Sequence, residues 1–217
     1  MTAYPVPEWL AALAETVPTI GGERFSRFLP PPEGGRRHSA VLVLFAPGPD
    51  EPGRTSVVLT ERAHTMRSHA GQPAFPGGGT EAGDARPADT ALREAWEEIG
   101  LEPGGVQVLG ELPTLHIPVS GYDVTPVLGW WREPDPGSLW AREPAEVARV
   151  VQPSVDWLVE PSHRFLVSHP SGFVGPAWEV DGLLVWGFTA GLLDRVLDFA
   201  GIAPEWDRSD VRPLPPL

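Results

Sequence analysis

The apolar positions of the chain fall into short runs with two periods. Trp9, Leu10 and Leu13 are spaced by one and three, which predicts a short helix over 7–15. The continuous run AVLVLFA at 40–46 predicts a buried strand, and SVVLTERA at 56–63 a second, with the proline- and glycine-rich segment between them forming a hairpin loop. A three-four stripe of Ala88, Ala91, Leu92, Ala95, Trp96 and Ile99 predicts a helix over 87–99. Pro87 suits its first turn and Gly100 the position just past its end. Strands are expected at 106–112, 122–131 and 146–151, followed by a helical turn in VDWLV. Shorter strands are expected in FLVSH, AWEV and LLVWGF. Leu192, Leu193, Val196, Leu197 and Ala200 are in step for a last helix over 189–200. Loops are expected at 29–39 and through the glycine-rich stretch 70–83, and the segment after Gly201 reads as irregular. Strands distributed around helices predict an α/β (α+β) domain over 40–201, a mixed sheet between helices, with an N-terminal extension 1–39 and a tail 202–217.

Composition narrows the function classes. A net charge of −13 argues against a broad nucleic-acid footprint, so an anionic substrate would need local arginines or a bridging metal. There are no cysteines, which excludes disulfides, thiolate metal sites and thiol nucleophiles. The N-terminus lacks the basic segment of a signal peptide and the apolar runs are too short to span a bilayer, so a cytoplasmic protein without membrane partners is expected.

The segment LREAWEEIG holds the chemistry. On a helix, Glu94, Glu97 and Glu98 are neighbours, and like charges at these spacings repel. Helical geometry is expected to set all three away from the apolar stripe, with Arg93 one turn back as a partner for Glu97 and none for Glu94 or Glu98. Glu97 and Glu98 also lie in the last turn, where the macrodipole disfavours anions. A solvated face is the bland explanation. A hard divalent cation, Mg²⁺ or Mn²⁺, would reverse the sign of every one of these terms. The consecutive glycines of FPGGG precede the helix and permit close backbone approach, so the Gly78 carbonyl is a candidate further ligand.

The stretch GGTEAGDARPADTALREAWEEIGL resembles the Nudix box. Gly79, Arg93, Glu94, Ala95, Glu97, Glu98, Gly100 and Leu101 fall in register, while Ala85 stands where the pattern has its first glutamate, with Asp84 beside it and Glu81 nearby. Upstream, LTERAHTMRSHAGQPAFPGG is similar to the signature of the coenzyme A diphosphatase subgroup, carried by Arg62, Ala63, Arg67, Gly71, Phe75, Pro76, Gly77 and Gly78. That subgroup also tends to lack the first box glutamate. Looser similarity continues through SGYDVTPVLG, AEVARVV and VWGFTAGLL, so the resemblance covers roughly 40–200.

The resemblance implies a Nudix fold and a metal-dependent hydrolase of a small nucleotide, cleaving coenzyme A or its derivatives to 3′,5′-ADP and 4′-phosphopantetheine. Glu94 and Glu98 are the expected metal ligands, with Glu97 a further ligand or water-orienting base and Arg93 pinning the glutamates. Substrate contacts are expected from Arg62, Arg67 and His69, with Gly71, Phe75 and Gly77 in the same signature. Arg67 is as well suited to a structural ion pair. His69 could act as a base, although a loop histidine more often bonds the backbone. Glu146 is a candidate distal carboxylate, although a solvated surface glutamate is the commoner outcome. The tryptophans at 130, 131, 178 and 186 read as core. A homodimer is left open. The alternatives are a Nudix hydrolase of ADP-ribose or a dinucleotide, and a non-catalytic nucleotide-binding module.

Overall fold

The computed structural model describes residues 3–32, 34, 37–51, 53–66, 68–135 and 137–215. In chain order the elements are α1 (Glu8–Thr16), β1 (Arg37–Pro47), β2 (Thr55–Val57), β3 (Leu59–Arg62), β4 (Pro73–Ala74), β5 (Gly77–Gly79) and α2 (Pro87–Ile99). There follow β6 (Val106–Glu111), β7 (Leu115–Ile117), β8 (Tyr122–Trp131), β9 (Val147–Val151) and α3 (Val155–Val159). The chain closes with β10 (Phe165–Ser168), β11 (Val174–Val180), β12 (Leu183–Val185), α4 (Gly187–Phe199) and β13 (Val211–Pro213).

The largest sheet runs β2-β1-β8-β6, with β5 added to β1 and β7 to β8. Its central pair, β1 and β8, is parallel, from Arg37 beside Tyr122 to Phe45 beside Trp130. Both strands are almost wholly apolar because both faces are covered. Alternation along them sorts the core. Ala40, Leu42, Leu44 and Val127 join Ala88, Ala91, Ala95 and Ile99 of α2 on one face. Val43, Phe45, Leu128 and Trp130 join Leu10 and Leu13 of α1 and Leu193, Val196 and Leu197 of α4 on the other. The sheet thus lies between helices, as the pattern predicts.

Several expectations are corrected. The run 56–63 is not one strand: β2 continues the large sheet, whereas β3 leaves it to pair with β4 and β9. The glycine stretch 70–83 is not simply a loop, since Gly77, Gly78 and Gly79 pair with Val41, Ala40 and Ser39. The expected loop 29–39 ends three residues early, because β1 begins at Arg37. LLVWGF ends as a strand at Val185; Gly187 has φ 65 and starts α4, which a side-chain-bearing residue would resist. The tail is not irregular throughout: Val211–Pro213 pairs in parallel with β10. Trp130, Trp131 and Trp178 are core, and Trp186 packs against the small cluster of Phe165, Val167 and Ala177. Among the described residues no helix is long and apolar enough to cross a membrane.

Candidate active site

The predicted helix is α2 with the predicted bounds, and Gly100 closes it with φ 72. Its glutamates do not share one environment. Glu98 is buried, 5% exposed, not on the wet face. The reason is its phase: Glu98 is three residues on from Ala95 and seven from Ala91, both in the buried stripe. Gly77 leans over this flank and its backbone N–H donates to Glu98 Oε2 at 3.0 Å. Trp96, expected in the stripe, is 37% exposed instead, and the Arg142 guanidinium stacks on its ring at 3.6 Å. Glu97 is exposed, as a solvated face would have it.

Arg93 organises the rest. Its Nη1 donates to Glu94 Oε1 and to Glu97 Oε2, both at 3.1 Å, so Glu94 is not unpaired as helical i,i+4 spacing suggested. Sequence neighbours on a helix diverge, but the long arginine stem curls back. Arg93 is itself held by the Gly79 carbonyl at 2.8 Å and by both oxygens of Asp84, at 2.9 and 3.2 Å. Asp84 also accepts from the Glu81 backbone and the Thr90 hydroxyl, and these bonds, led by that from Arg93, hold its pKa well below the usual carboxylate range. Of the two carboxylates near Ala85, Asp84 bonds Arg93 directly, whereas Glu81 stays 3.9 Å away.

Burial pushes the Glu98 carboxyl up to about 8. The Gly77 N–H and the Arg62 charge oppose the shift, and the charges of Glu94 and Glu146 add to it. Glu94 is raised as well, mainly by burial, with Glu97 and Glu146 contributing and Arg93 opposing. Glu146 is exposed just before β9, as a surface glutamate would be, and its charge adds a small part to the upward shifts of Glu94 and Glu98. β9 pairs with β3, and Arg62 ends β3 across from Val147. Sequence reasoning placed Glu146 at a strand start but could not tell which sheet edge that strand would join.

The Arg62 backbone bonds Gln72 and Gly71, but its side-chain Nε is buried without a partner among the described residues. The other signature residues differ in their settings. Phe75 is 3% exposed in the main core, so its side chain is closed off from a substrate. At Gly77 (φ 154) a Cβ would meet the Ala40 carbonyl at 2.3 Å and Val41 Cα at 2.6 Å. Gly71 turns the loop with φ 67 and abuts the His64 ring. His69 is exposed, with φ 58, and its Nδ1 lies 2.9 Å from Gln72 Oε1. Arg67 lies outside the described residues.

The donors suit a hard cation. All are oxygens, Glu98 is buried close to two like charges, and the absence of a Cβ at Gly78 lets the Glu94 carboxylate sit where that atom would be, at 2.5–2.6 Å. They do not form a ready cage: among the described residues no three acidic or histidine side chains converge as a metal-binding group. Glu94 and Glu97 are turned to Arg93 and Glu98 to Gly77.

Comparison with known proteins agrees with this geometry. The NUDIX domain profile matches residues 36–171. The chain is 38% identical over 181 residues to an uncharacterized Nudix hydrolase, NudL, of Photorhabdus laumondii, covering 80% of this chain and 92% of that one. It is 39% identical over 161 residues to the uncharacterized NudL of Cronobacter sakazakii, covering 73% and 80%. Among solved structures, a Nudix hydrolase from M. smegmatis, RenU, is similar with a TM-score of 0.51 and 22% identity, covering 82% of this chain and 97% of that one. Nudix hydrolases use divalent metal ions such as Mg²⁺ or Mn²⁺. The chain belongs to the Nudix family and is a diphosphate-hydrolysing enzyme acting on nucleoside diphosphate-linked substrates.

Proposed function

We propose that the protein is a coenzyme A diphosphatase, hydrolysing coenzyme A or its derivatives to 3′,5′-ADP and 4′-phosphopantetheine. The observation that carries this reading is Arg62. It belongs to the subgroup-like segment 59–78, and it ends β3 as a cation without an anionic partner among the described residues, its charge felt by the buried Glu98. An arginine there can take a phosphoryl oxygen in a charge-assisted bond.

Glu98 and Glu94 would hold the metal, with the Gly78 carbonyl and Glu97 as further donors. The metal, when bound, neutralises charge on the diphosphate and acidifies a water. The chain's own groups do the rest. Arg93 acts as a positioning residue, fixing Glu94 and Glu97 while Asp84 fixes Arg93. Water adds to one phosphorus, the bridging P–O bond breaks, and a carboxylate accepts the water's proton. Glu97 is the first candidate for that acceptor. Glu146 is a second, favoured by its influence on Glu94 and Glu98. Arg67 and His69 would extend the contacts along the substrate.

The test is turnover of coenzyme A, an acyl-coenzyme A, ADP-ribose and NADH with Mg²⁺ or Mn²⁺, with products identified by mass. Coenzyme A and its acyl derivative should give the highest kcat/KM. A clear preference for ADP-ribose or NADH would replace this reading with that of another nucleotide diphosphatase.

A further inference from the structure

A cleft of about 560 Å³ borders Gly79 and Asp84, and none of the three glutamates lines it. Arg37 and His38 from the start of β1, Tyr122 from the start of β8, and Arg86 just before α2 line it, with Gly79 and Asp84 at the border it shares with the Arg93 network. The cleft exists because β1 and β8 run parallel, so both strands begin at the same end of the sheet. The loop from β5 into α2 crosses that end.

Its chemistry is cationic and unspent. The chain carries −13 overall and all 16 of its cationic side chains are arginines, several of them paired with carboxylates among the described residues. Arg37 is an exception among the described residues: its guanidinium lies over the Tyr122 ring, 4.2 Å from the centroid, and makes no ion pair. Arg86 is 68% exposed and its nearest anion is Asp89 at 3.6 Å. The one carboxylate lining the cleft, Asp84, is already bound by Arg93. The start of α2 offers little of its own. Pro87 has no N–H, Ala88 N donates to Glu111 Oε1 and Asp89 N to the Arg86 carbonyl. Positive charge here must come from the arginines.

We propose that this cleft binds a phosphomonoester on the nucleoside half of the substrate, through Arg37 and Arg86. Arginine presents a planar fork of donors matched to phosphate, and Tyr122 holds the Arg37 fork in orientation. Ser39 and Thr80 add hydroxyls at the same rim, suited to a ribose. Arg62, at the end of β3, does not line this cleft and is left for the scissile diphosphate. The proposal rests on the coenzyme A reading only for the identity of that phosphate, the 3′-phosphate.

The test has a binding arm and a turnover arm. In chelator, calorimetry compares 3′,5′-ADP with 5′-AMP on the wild type and on Arg37→Ala/Arg86→Ala. Both side chains are at the surface, so the variant keeps its fold. The wild type should bind 3′,5′-ADP at least about tenfold more tightly than AMP, the worth of one charge-assisted contact, and the variant should bind the two alike. Equal binding by the wild type, or a preference that survives in the variant, overturns the proposal. In the second arm, the wild type should favour coenzyme A over its 3′-dephospho form through KM, and the variant should lose that preference with kcat unchanged. If neither compound is cleaved, the coenzyme A reading fails while the binding arm still decides the subsite.

Discussion

At the scale of single residues, Glu98 sets function against stability. A buried carboxylate with two like charges in reach is poorly placed for the apo fold. Its folded pKa, about 8, lies above its ordinary value of 4.5. Stability from this group is therefore fully present below 4.5 and is lost as pH rises through 8, at up to about 1.4 kcal/mol per pH unit in between. In chelator, the wild type should lose stability from pH 5 to pH 9, and Glu98→Gln should remove most of that decline. Thermal unfolding across this range measures it; parallel curves for the two proteins would exclude Glu98 as the source. With Mg²⁺, Glu98→Gln should lose turnover by about 10²-fold or more while remaining folded, since on the proposed assignment the ion would lose its buried anionic ligand. Full activity of that variant would remove Glu98 from the metal site. Asp84 titrates in the opposite sense. Its folded pKa is lowered, so its contribution is present above about pH 4 and is lost on further acidification, and Asp84→Asn should flatten the acid limb of the stability profile.

At the scale of elements, β5 and α2 work as a pair, and adjacent glycines separate their roles. Gly77→Ala would drive a Cβ into the Ala40 backbone at a φ that side chains rarely adopt. It should destabilise by about 3 kcal/mol or more in urea unfolding. Gly78→Ala would instead meet the far end of the Glu94 side chain, which can swing away. Its stability should change by less than about 1 kcal/mol while kcat/KM falls by about 10²-fold, because Glu94 is displaced from the cluster. Similar losses of stability in both would contradict this division. These elements also show what was legible in the sequence. α2 could be read to the residue because its period, proline start and glycine stop agree locally. The strand break at Val58 could not, since it depends on β9, about 90 residues on, drawing β3 out of the large sheet. Gly77–Gly79 has no side-chain alternation to read, so only its pairing with β1 identifies it as a strand. The burial of Glu98 was available in principle from its spacing to Ala91 and Ala95, but the covering residue, Gly77, is fixed by tertiary packing.

At the scale of the whole molecule, the tail is part of the domain and not an appendage to it. β13 extends the sheet of β12, β11 and β10, and between α4 and β13 Trp206 comes to lie 4.8 Å from the Arg164 guanidinium. Arg164 is 5% exposed, bonded through Nη2 to Asp194 of α4, with Nε and Nη1 buried and without partners. Burial lowers its pKa and Asp194 works against that shift. Such a pair is weak evidence of net stabilisation, but breaking it strands a buried charge. Asp194→Ala should cost about 3–5 kcal/mol. The tail's share follows from a cycle with deletion of residues 202–217. If the tail is what desolvates Arg164, the guanidinium regains water in the truncated chain, and Asp194→Ala becomes markedly milder there. The two changes should then couple by more than about 1 kcal/mol. Additive losses in chemical unfolding would mean that Arg164 is buried by β10 and α4 alone, and that the tail docks without bearing on the pair.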